Sequence, residues 1–127
     1  MTKHKVLVVD DEAFICRALT YVLRKGDFEV FEARDGEQAL AAIETHKPDL
    51  VFLDVMMPKL NGFEVTARLR QDPANASLRI VLLTAQGQDC DRASGKQAGA
   101  DAYITKPFSP TKILEQAREL LTSRRPG

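Results

Sequence analysis

Three uninterrupted apolar runs, Val6-Leu7-Val8-Val9, Leu50-Val51-Phe52-Leu53 and Ile80-Val81-Leu82-Leu83, constrain this chain more than any other feature. Each is short, rich in branched side chains and free of polar alternation. Successive side chains of a strand point to opposite faces, so such a run needs cover on both sides. That condition is met in a parallel sheet sandwiched between helices. The segment FEVFEA over 28–33 places glutamates between its apolar residues and suits a sheet edge, and AYIT over 102–105 is a shorter fifth candidate.

Helical patterns separate these strands. In 12–25, Ile15, Ala18, Leu19, Val22 and Leu23 repeat at the spacing of one helix face. Gly26 follows, where a left-handed C-terminal residue is favoured. A second helix fits 36–46, with Asp35 as its N-cap and Pro48 marking its end. A third fits about 62–71, stopped before Pro73, and a last one about 110–122, with Ile113, Leu114, Ala117, Leu120 and Leu121 facing inward. The segment 87–100 reads as the weakest helix, because Gly95 in its middle costs about 1 kcal/mol relative to alanine. Five alternations of strand and helix predict one α/β domain over 1–127, core about 5–122, with a doubly wound sheet and five helices.

Composition narrows the function. The 18 basic and 18 acidic residues cancel, which argues against holding nucleic acid or an anionic membrane by bulk charge. No stretch approaches the roughly 20 apolar residues needed to cross a bilayer. The N-terminal apolar run is too short for a secretory signal, so a cytoplasmic location is expected. Cys16 and Cys90 show no metal-ligand spacing. His4, His46 and the adjacent thioethers of Met56 and Met57 read as ordinary surface or loop residues.

In an open α/β sheet, ligands sit outside the carboxyl ends of the strands. Those ends carry Asp10 and Asp11 (with Glu12 next), Asp54, Thr84 and Lys106-Pro107. Two carboxylates about 4 Å apart repel by roughly 4 kcal/mol at an effective dielectric near 20, so packed aspartates call for a cation. A hard divalent ion with oxygen ligands suits them, magnesium best and manganese as a substitute. Lys106 adds a fixed positive charge. A carboxylate with the ordinary pKa of about 3.9 is ionised at neutral pH and can attack phosphorus to give an aspartyl phosphate.

The pieces VLVVDDE (6–12), LDVMMPKLNG (53–62), Thr84-Ala85 and GADAYITKPF (99–108) occur together in order. With them the chain resembles the receiver domains of two-component response regulators across essentially 5–122. The resemblance implies the flavodoxin-like receiver fold with strand order 2-1-3-4-5. It implies Asp54 as phosphoacceptor, with magnesium on Asp10, Asp11, Asp54 and the Met56 carbonyl. Thr84 and Lys106 would contact the phosphoryl group, and the Lys106–Pro107 bond would be cis. Thr84 and Tyr103 would act as switch residues, reshaping the surface made by segment 87–100, the fifth strand and the last helix.

The partners so implied are a sensor histidine kinase or phosphotransfer protein, and a downstream protein or output domain. Lys112, Gln116 and Ala102 depart from the pattern that supports a phosphorylation-dependent dimer, leaving a monomer or a weak dimer. Direct nucleic-acid binding and membrane association are not expected. The alternative is a degenerate receiver serving as a phosphorylation-independent interaction module. A turnover enzyme is not expected: a phosphatase of the haloacid dehalogenase type would want an aspartate where Met56 stands, and a nucleotide-binding turn would be glycine-rich where this one reads DDEAF.

Overall fold

The computed structural model describes residues 3–57, 60–85 and 99–122. Five strands, β1 (Lys5–Val9), β2 (Glu29–Ala33), β3 (Leu50–Asp54), β4 (Arg79–Ala85) and β5 (Ala102–Lys106), make one parallel sheet in the order β2-β1-β3-β4-β5. Four helices are present among the described residues: α1 (Ala13–Lys25), α2 (Gly36–His46), α3 (Gly62–Gln71) and α4 (Pro110–Thr122). A 3-10 turn at Pro73–Asn75 follows α3. Of the five helices expected, the one assigned to 87–100 falls almost wholly outside the described residues; Gly99 and Ala100, which are described, are not helical.

The unbroken apolar runs are explained by two cores, one on each face of the sheet. Val6, Val8, Leu50, Phe52, Val81 and Leu83 face α1 and α4, joining Leu19, Leu23, Ile113 and Ala117. Their neighbours Leu7, Val9, Val51, Leu53, Ile80 and Leu82 face α2 and α3, joining Ala39, Ile43, Val65 and Leu69. β2 lies at an edge, as its glutamates suggested, with Glu29 and Glu32 exposed.

Helix ends follow local chemistry. Asp35 caps α2 by accepting from the Gln38 N–H at 2.8 Å. Asn61 and Glu64 form a reciprocal capping box at the start of α3. Two expectations for α1 need correction. Ala18 is exposed, and Cys16 and Thr20 take inward positions beside Leu19 and Leu23, because the helix turns its small Cys16 and Thr20 toward the sheet. Gly26 is not left-handed (φ −80°), and Asp27 takes that conformation instead (φ 75°). A Cβ there would meet the end of the Leu114 side chain of α4, which would have to shift to admit it.

Candidate functional site

Register places the acidic groups. Val9 of β1 pairs with Leu53 of β3, so the next residues, Asp10 and Asp54, emerge side by side at the carboxyl edge. Asp54 pairs with Leu83, and Thr84 and Ala85 pair with Thr105 and Lys106 of β5. Lys106 therefore lies farther out than Asp54, and its long side chain reaches back over the strand tips. Its ammonium sits 2.8 Å from Asp10 Oδ2 and 3.3 Å from Asp54 Oδ1.

Asp10 is fully buried and Asp54 only 4% exposed. Buried carboxylates need partners, and the backbone supplies some. Asp10 Oδ1 accepts from the Glu12 N–H at 2.9 Å, and Asp54 Oδ1 accepts from the Met56 N–H at 3.3 Å. Beneath them the Cys16 thiol donates to the Asp10 carbonyl at 3.3 Å. Burial, followed by the charge of Asp10, pushes Asp54 up from 3.8 to about 6 against the pull of Lys106. The ordinary pKa expected for this carboxyl is thus replaced by a raised one, and at pH 7 the ionised form still leads by about tenfold. Burial also pulls on Lys106, but the hydrogen bond to Asp10 and the charges of both aspartates outweigh it and raise its pKa.

Asp10, Asp11 and Glu12 present carboxylate oxygens within 4.8 Å of one another, the latter two exposed. Glu12 was read only as the next residue along, and its membership depends on the turn into α1. The donor set is all oxygen and, with Asp54 beside it, carries more negative charge than one lysine can offset. These residues fit a hard divalent cation. Asp54 reaches this group through Lys106, which bridges it to Asp10. Met56 itself is exposed beside Asp54. Thr84 is buried in β4, Tyr103 is half-buried against the α2–α3 core, and the Lys106–Pro107 bond is cis.

A doubly wound parallel sheet in this order, with acidic strand tips facing a lysine, defines a receiver-type fold. Residues 6–118 match the response regulator receiver domain family, and the chain belongs to that family. A solved putative response regulator from Chloroflexus aurantiacus superposes with a TM-score of 0.91 at 36% identity, over 96% of this chain and all of that one. The alkaline phosphatase synthesis transcriptional regulatory protein PhoP of Bacillus subtilis is 46% identical over 92% of this chain and 48% of its own length. The DNA-binding response regulator MtrA of Mycolicibacterium paratuberculosis is 42% identical over 94% of this chain and 52% of its own. The chain thus spans about half the length of these curated relatives. Their names overturn the expectation of no nucleic-acid contact. Balanced net charge, on which that expectation leaned, says nothing of what the rest of such relatives does. No helix among the described residues is long and apolar enough to cross a membrane.

Proposed function

We propose that the chain is a phosphoryl-accepting switch in which Asp54 takes a phosphoryl group from the phosphohistidine of a sensor kinase or phosphotransfer protein. The observation that carries this reading is the Lys106 ammonium held between Asp10 and Asp54 at the carboxyl edge of the sheet. The Asp54 carboxylate is the attacking group, held at Oδ1 by the Met56 N–H and the Lys106 ammonium. The new O–P bond forms as the P–N bond to the donor breaks, its electron pair leaving on the imidazole. The product is an aspartyl phosphate.

Lys106 spreads part of the negative charge of the transferring group, the main task in such transfers. Asp10, Asp11, Asp54 and the Met56 carbonyl would hold magnesium, which when bound offsets the charge shared by carboxylates and phosphoryl oxygens. Thr84 and Tyr103 would then report the change of state, shifting a balance between two conformations. Regulators such as the relatives above make control of transcription the natural output.

Intact-mass measurement with acetyl phosphate tests the assignment. One phosphoryl group should be gained with magnesium present and lost in Asp54→Asn. An undiminished gain in that variant refutes the site.

A further inference from the structure

Arg70 occupies the last turn of α3 and uses its guanidinium as a three-way tie. Nε donates to the Gly99 carbonyl at 2.9 Å, Nη1 to the Asn75 carbonyl at 2.8 Å and Nη2 to the Asp101 carboxylate at 2.9 Å. The ion pair with Asp101 is mostly shielded from water. Asp101 is fixed in turn: its Oδ2 accepts from the Ile80 N–H and its own N–H donates to the Ile80 carbonyl, both at 2.8 Å. Gly99 has φ 105°, and a Cβ on it would stand 2.7 Å from Arg70 Cγ, so the backbone is shaped around this side chain.

The other end of α3 rests on the phosphoacceptor strand. The Gly62 N–H donates to the Val55 carbonyl at 2.9 Å, and a Cβ on Gly62 would lie 2.7 Å from the Asp54 carbonyl oxygen. One helix therefore runs from the backbone of Asp54 to the residue just ahead of β5. β5 is the edge strand, paired only with β4 among the described residues. Charged ties hold it at both ends, Arg70 to Asp101 before it and Lys106 to Asp10 and Asp54 at its tip. Tyr103 lies between them.

We propose that Arg70 is a positioning residue that anchors the start of β5, so that a change at the Lys106 end moves Tyr103 instead of being lost as free play of an edge strand. This rests on the phosphoacceptor reading of Asp54 and deepens it. A strand fixed at one end converts a displacement at the other into a defined rearrangement of what lies between, whereas an unanchored strand spreads it over its whole length. Arg is suited to this task by its planar fork, which lysine lacks.

The test uses the full chain in a Tyr21→Phe background, which leaves Tyr103 as the sole tyrosine, labelled as fluorotyrosine. The fluorine resonance is followed while magnesium and beryllofluoride are added, and binding is read separately by calorimetry. In Arg70→Ala the half-saturating beryllofluoride concentration should stay within about twofold, while the Tyr103 shift at saturation falls to about a fifth or less. Arg70→Lys, which keeps the charge but not the fork, should give an intermediate shift. A full-sized Tyr103 response in Arg70→Ala overturns the inference, and so does a parallel loss of binding and response, the mark of a merely structural role. Should Arg70→Ala not fold, Arg70→Lys decides, an undiminished response there being the overturning result. A parent chain that takes up no beryllofluoride overturns the phosphoacceptor reading and this inference with it; a parent that binds and responds isolates Arg70.

Discussion

Replacing Asp54 by asparagine should stabilise the metal-free domain, and the gain should depend on pH in a defined direction. The carboxyl titrates at 3.8 in ordinary surroundings and at about 6 in the folded site, chiefly through burial and next through Asp10. Between those values the folded chain holds a proton that the unfolded chain has released, so stability falls as pH rises through this window. Taken whole, the rise corresponds to about 3 kcal/mol at pH 7. Water at the pocket mouth screens part of it, and a gain of about 1–3 kcal/mol is expected. The amide would remove the charge, and Lys106 would keep Asp10 at 2.8 Å. With a urea slope of about 1–3 kcal/mol per molar, the unfolding midpoint at pH 7 should rise by roughly 1 M. At pH 4 the two proteins should nearly coincide. An Asp54→Asn protein no more stable than its parent at pH 7, or equally favoured at pH 4 and pH 7, refutes the claim that a desolvated, repelled carboxylate sits at this strand tip.

Three further outcomes are expected. Magnesium should raise the unfolding free energy of the parent in urea by about 2.7 kcal/mol at a hundredfold excess over its dissociation constant, and Asp11→Asn should lose most of that gain. Gly62→Ala should cost about 1–3 kcal/mol in the same assay, because its Cβ would meet the backbone of Asp54 and Val55 at 2.7 and 2.9 Å. In a Cys90→Ala protein, Cys16, pushed up to about 11 mainly by burial, should react with iodoacetamide at pH 8 at least ~100-fold more slowly folded than unfolded.

Much of this protein was legible in the residues alone. Short unalternating runs rich in branched residues point to a sheet covered on both faces, and that sheet carries Val6 and Leu7, Phe52 and Leu53, to opposite cores. Caps such as Asp35, and the limits of α2 and α3, follow from chemistry within a few residues. The gathering of Asp10, Asp54 and Lys106 at one edge was likewise implied once strand tips were aligned. Tertiary structure decided the rest, because those properties depend on neighbours distant in the chain. The raised pKa of Asp54 needs the depth of the pocket and the nearness of Asp10. Gly26 lies against the end of the Leu114 side chain from another helix, and its own backbone conformation does not call for glycine. Arg70 looks like any helix-end cation until residues 99 and 101 fold back upon it. Local patterns set the elements, since hydrogen bonding and side-chain alternation act over short spans. Desolvation and charge act through space, and only the packed molecule fixes which groups meet.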